Sequence, residues 1–170
     1  STTIPIRSIK SSTVIFGYGG SNGTVTGSHT LYNVRIDTID SNSTRTITIS
    51  GTITVNGTLT FDNSSTGSIT INGGTLAAQG AVTMGDTISY TGTTSLTLNG
   101  TGDQTFTGAG SSTAGNTLPI TIDKASGTAT LASILRTDKN ITVTQGVFAH
   151  DTTATNGIYF ITSATISVGV

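Results

Sequence analysis

From Ile47 to Phe61 the chain alternates without a slip. The positions Ile47, Ile49, Gly51, Ile53, Val55, Gly57, Leu59 and Phe61 are apolar or Gly, and every residue between them is small and polar. A strand turns successive side chains to opposite faces, so this period of two gives one buried face and one wet face. The run also repeats every six residues, as ITISGT, ITVNGT and LTFDNS. Relatives of the unit recur at Ile69 (ITINGG), Leu96 (LTLNGT) and Ile141 (ITVTQG).

The parity constrains the turns. Asn56-Gly57 would ordinarily signal a two-residue hairpin. That hairpin would set Val55 against Thr58 and Ile53 against Thr60, pairing apolar residues with hydroxyls on one face. Two geometries keep the parity instead. One is a three-residue loop, Asn56-Gly57-Thr58, with Gly57 left-handed. The other is a solenoid corner at which the chain bends, Gly57 points inward and the next short face continues the pattern. The six-residue spacing favours the corner, because short faces joined by bends build a coil of parallel strands. The expected fold is therefore all-β, a short β-solenoid (parallel β-helix). A β-sandwich of jelly-roll type with a strand-exchange arm is the alternative.

Composition agrees on the class. Thr and Ser make up about a third of the 170 residues, Ile outnumbers Leu, and Glu, Cys and Trp are absent. Thr and Ile favour strands, and no segment carries a helical period. The apolar alternation separates the chain from disordered sequences of similar polarity, which have no face to bury. A net charge of −1 gives no electrostatic reason to expect nucleic acid or an anionic membrane, and no apolar run is long enough for a membrane span. The start at Ser1 fits a processed, secreted chain, and equally one trimmed at a disordered end.

Organisation along the chain suggests an N-terminal arm over residues 1–20 and a single all-β domain over 21–170, with the hexad-like array at 44–107. In the arm, Ile4 and Ile6 flank Pro5, and Val14-Ile15-Phe16 precede a glycine-rich break. Pro5 cannot donate to a ladder, which places its strand at an edge or on another subunit. A last strand is expected from Ile161 to Val170.

Two stretches resemble a known class. SGTITVNGTLTF (residues 50–61) resembles the repeats of filamentous-haemagglutinin-type and autotransporter-type β-solenoid surface proteins. LPITIDKASGTATLASILRTDKNITVTQGVF (residues 118–148) is similar to tandem units of short strand, Ser-Gly-Thr and short strand in large bacterial surface proteins. The resemblance implies an extracellular or cell-surface, non-catalytic adhesin or fibre component. A solenoid this short has two open ends, which template further pairing unless capped.

Few residues suggest chemistry. His150-Asp151 has the form of a base beside its orienting carboxylate, yet reads better as a solvated loop after Phe148. Asp37, Asp40 and Asp62 supply oxygens of the kind Ca²⁺ takes, but without the alternating spacing of a loop site, so solvated turns are expected. No catalytic residue, metal ligand or cofactor is assigned. Asn22, Asn42, Asn56, Asn63, Asn99 and Asn140 each head an Asn-x-Ser/Thr triplet, where covalent glycans would be accepted. Recurring pairs such as Thr52/Thr54 and Thr142/Thr144 form an array that resembles insect-type antifreeze surfaces.

The functional expectation is a non-enzymatic structural subunit of an extracellular filament or surface adhesin. Its partners are copies of itself, joined head to tail by strand pairing. The assembly arm is assigned to Ile4, Ile6, Ile9, Val14, Ile15 and Phe16. A carbohydrate-binding or ice-binding β module is the alternative.

Overall fold

A computed structural model describes residues 12–17, 22–37, 44–62, 68–85, 90–108, 117–153 and 157–169. Within them the chain is a parallel β-solenoid with three faces. The first turn holds β1 (Thr13–Phe16), β2 (Gly23–Val25) and β3 (His29–Leu31). The second holds β4 (Asn33–Ile36), β5 (Arg45–Ile49) and β6 (Thr52–Val55). The third holds β7 (Leu59–Phe61), β8 (Ile69–Asn72) and β9 (Thr75–Ala78), and the next β10 (Val82–Met84), β11 (Tyr90–Gly92) and β12 (Ser95–Leu98). Beyond these come β13 (Gln104–Thr107), β14 (Ile120–Leu131), β15 (Leu135–Thr137), β16 (Ile141–His150), β17 (Ile158–Phe160) and β18 (Ile166–Val168).

Face A stacks β3, β6, β9, β12, the start of β14, the start of β16, and β18. Face B stacks β1, β4, β7, β10, β13 and the ends of β14 and β16. Face C stacks β2, β5, β8 and β11, with β15 and β17 forming a separate pair further along. The long strands β14 and β16 bend from face A to face B, so twelve strands of both faces join in one sheet. Every pair is parallel.

The opening alternation is one turn of this coil seen in sequence. Ile47 and Ile49 lie on face C, Ile53 and Val55 on face A, and Leu59 and Phe61 on face B, all at most 2% exposed. Parity survives because the chain bends at each corner instead of reversing. The three-residue loop is excluded, since Gly57 is not among the glycines with positive φ. The corner glycines answer to a different demand. A Cβ on Gly51 would stand 2.5 Å from the carbonyl oxygen of Gly27 in the turn before, and one on Gly57 would stand 2.8 Å from that of Tyr32. Stacked backbones come too close at these corners for any side chain.

Inside, each apolar residue stacks on its equivalent one turn away. Leu76, Leu96, Ile120 and Ile141 form one such column on face A, and each is at most 1% exposed. Full burial of an aliphatic side chain stabilises by about 1.5–3 kcal/mol, and the column repeats that gain with every turn. The register sets the true repeat at 19 to 25 residues, as in Ala129 on Phe148 and Ile141 on Ile166. The six-residue unit is the spacing of faces within a turn.

Two details differ from the sequence reading. The final strand is Ile166–Val168, and Ile161 precedes it in a bend. Thr13–Phe16, inside the segment read as an arm, pairs with β4, and its Val14 and Phe16 pack against the core.

Candidate functional site

Three features stand apart from the repeating core: an ion cluster at one corner, a buried lysine at another, and the open last turn.

The ion cluster gathers residues from three turns. Arg35 on β4 reaches Asp37 Oδ2 at 2.6 Å and Asp62 Oδ2 at 2.9 Å. Asp37 is fully buried, which corrects its reading as a solvated turn residue. Above the cluster, Tyr90 is 0% exposed and meets Phe61 edge-on, with ring centroids 5.1 Å apart. Its hydroxyl has no hydrogen-bond partner among the described residues. Burial raises the Tyr90 pKa well above the phenol's ordinary value, and the negative charges of Asp62 and Asp37 raise it further against the opposing pull of Arg35. The structure thus brings together two of the three acids weighed for Ca²⁺, with a guanidinium between them. Asp40 lies outside the described residues. Among the described residues no group of three or more His, Asp or Glu is placed to hold a metal ion.

The second cluster went unnoticed in sequence although its signal was present. Lys124 keeps phase with Ile120 and Ile122, and Gln104 keeps phase with Phe106, so period two points both inward. Lys124 is 1% exposed, and its ammonium donates to Gly100 O at 2.6 Å, Gly102 O at 2.8 Å and Gln104 Oε1 at 2.8 Å. All three ammonium hydrogens are therefore used. Gln104 Oε1 also accepts from Gly100 N, and Gln104 Nε2 donates to Ala78 O and Gly80 O. Burial lowers the Lys124 pKa, opposed by the negative charge of Asp103.

The asparagines serve the stacking. Asn22 Oδ1 accepts from Thr46 N at 2.9 Å, Asn33 Oδ1 from Thr58 N at 2.8 Å and Asn140 Oδ1 from Thr165 N at 3.0 Å, each bond joining one turn to the next. Asn99 Oδ1 accepts from Gln79 Nε2 at 2.7 Å. These bonds engage the amide oxygen of three glycosylation candidates, and the amide nitrogen is the atom a glycan uses. Asn56 is exposed at its corner, while Asn42 and Asn63 lie outside the described residues. His150 belongs to β16 instead of a following loop. Its Nδ1 lies 2.6 Å from the backbone oxygen of Asp151, whose carboxylate accepts from Thr153 N.

Outward on face A runs a ladder of short side chains: Thr30, Thr54, Ala77, Thr97, Thr121, Thr142 and Ser167, each in register with the next. Neighbouring rungs of a sheet stand about 4.8 Å apart.

The last turn is where burial fails. Ile166 continues the column of Ile120 and Ile141 but is 46% exposed, and Val168 continues that of Ile122 and Val143 but is 69% exposed. Phe160 points the same way on face C and is 37% exposed. Two recesses open here. One of about 290 Å³ is lined by Leu131, Phe148, His150 and Ile158, and one of about 360 Å³ by Val143, Phe148, Ile158, Ile166 and Val168. Among the described residues the outer edges of β17, β18 and the end of β16 pair with nothing. At the opposite end β1, β2 and β3 likewise have one free edge each. Of the proposed arm, Val14 and Phe16 are half-buried in the chain's own first turn and Ile15 faces outward, 39% exposed. Ile4, Ile6 and Ile9 lie outside the described residues.

No protein-family model, curated protein or solved structure matches the chain.

Proposed function

We propose that the chain is a non-enzymatic structural subunit of an extracellular or cell-surface fibre or adhesin, which assembles by strand pairing between copies. The observation that carries this reading is the open last turn. A solenoid buries its core only by stacking turn on turn, and among the described residues Ile166 and Val168 stay exposed and the outer edges of β17 and β18 are unpaired. An edge of that kind gains main-chain hydrogen bonds and apolar burial together when another strand is added. The resemblance to β-solenoid surface proteins points the same way, and glycans on exposed corners such as Asn56 suit a surface setting. Electron microscopy of the purified chain tests the proposal. Unbranched filaments are expected, and a strict monomer at all concentrations would overturn it.

A second reading rests on the hydroxyl ladder of face A. A flat, rigid lattice of Thr side chains is a surface on which ordered water or a glycan can dock, and the in-register rungs from Thr97 to Ser167 favour it. Thermal hysteresis in freezing assays, or binding on a glycan array, would support this reading. Replacing Thr97 and Thr121 by Lys should then abolish the signal without unfolding the chain.

A further inference from the structure

We infer that the two ends of the solenoid are complementary, and that a second copy docks with its first turn on the last turn of this one, face upon face. This rests on the filament reading and specifies its joint.

The last turn presents, in chain order, Val147–His150 of β16 on face B, β17 on face C and β18 on face A. The first turn presents β1 on face B, β2 on face C and β3 on face A. The order of faces is the same at both ends. So are the strand lengths: β1 has four residues, like the segment 147–150, and β2, β3, β17 and β18 have three each. A first turn laid on a last turn would therefore continue three parallel ladders at once, with no change of direction.

Side chains match as well. Taken in step, β18 sets Ile166 against His29 of the second copy and Val168 against Leu31 of the second copy. On face C, Ile158 faces Gly23 and Phe160 faces Val25 of the second copy. On face B, Phe148 and His150 face Val14 and Phe16 of the second copy. Inward residues meet inward residues on every face, and the recesses beside Phe148 and Ile158 receive those of the second copy. None of these strand segments contains Asp, Glu, Lys or Arg, so no like charges oppose the contact. The outward ladder also runs on, since Ser167 would stand beside Thr30 of the second copy.

The chain has no cysteine, so introduced thiols report only designed contacts. The double variant Thr30→Cys with Ser167→Cys places both thiols on the outer surface of face A. Under mild oxidation it should give a ladder of covalent multimers on non-reducing gels, while Ser167→Cys alone should stay monomeric. Dimers from Ser167→Cys alone would mean that two last turns meet, and would overturn the head-to-tail joint. Filaments that never cross-link through the 30/167 pair would overturn the register and leave the filament reading standing. Absence of filaments in the unmodified chain would remove both. Deletion of residues 1–11, which spares β1, should leave cross-linking intact. Its loss would assign the joint to Ile4, Ile6 and Ile9 of the second copy and overturn the first-turn docking.

Discussion

The ammonium of Lys124 and the amide oxygen of Gln104 meet at 2.8 Å inside the coil, from successive turns of the solenoid. Together they occupy the corner at which Gly80, Gly100 and Gly102 turn their carbonyls inward. These carbonyls belong to no strand, and buried polar groups need partners. The lysine and glutamine supply them.

Replacing Lys124 by Met keeps the apolar stem but strands the carbonyls of Gly100 and Gly102 and leaves Gln104 Oε1 with Gly100 N alone. Leaving buried groups unsatisfied costs about 1–3 kcal/mol, more where a charge took part, so Lys124→Met should lower stability by about 3 kcal/mol at neutral pH. The midpoint of denaturant unfolding measures it.

That lysine also predicts a pH dependence. Its folded pKa lies below the ordinary 10.5, so between the two values the unfolded chain binds the extra proton. Stability attributable to Lys124 then rises with pH as 10.5 is approached from below, and levels off above it. The difference in unfolding free energy between the wild type and Lys124→Met should grow over that window. A flat difference would count against a desolvated ammonium.

Tyr90 predicts the opposite sign. Its folded pKa is raised above 10.0, so its contribution is complete below that value and is lost as pH climbs beyond it. One of the four tyrosines should resist ionisation in ultraviolet titration until the chain unfolds. Because the hydroxyl is buried without a partner, Tyr90→Phe should be neutral or stabilising by up to about 1 kcal/mol. Phe61→Ala, which removes the ring beneath it, should cost about 3–5 kcal/mol.

The ion cluster is expected to be costly to break on one side. Arg35→Met takes the guanidinium from the buried Asp37 carboxylate and should destabilise by about 3–5 kcal/mol. Arg35→Met combined with Asp37→Asn should recover a large part of that loss. A double-mutant cycle by thermal unfolding reads the coupling.

The corner glycines can be separated by position. Gly51→Ala places a methyl against the backbone of the preceding turn and should cost about 2 kcal/mol or more. Gly102→Ala meets nothing within 4 Å and should change stability by less than about 0.5 kcal/mol.

The corner was legible in sequence because Asn56-Gly57 conflicted with the parity around it, and of the two geometries that removed the conflict the six-residue spacing favoured the bend. Turn length was not legible. The segments between faces vary, so Ser95 sits 20 residues from Thr75 while Ile166 sits 25 from Ile141. The polar cluster of Lys124 and Gln104 was readable from phase, but a long polar residue in a threonine-rich strand is easily taken as outward-facing. The ion cluster was hidden for a different reason. Arg35, Asp37, Asp62 and Tyr90 are spread over more than fifty positions, and only stacking by whole turns brings them to one corner.

Because every ladder in the coil is parallel, a rod built from it has a direction. In the proposed rod one tip displays β1, β2 and β3, and the other displays β16, β17 and β18. Subunits joining at the two tips would meet different chemistry, so elongation can proceed at unequal rates or be arrested at one tip alone. A fragment carrying only the first turns would act as a terminator for one tip and be inert toward the other. Length control could then come from a truncated copy of the same chain.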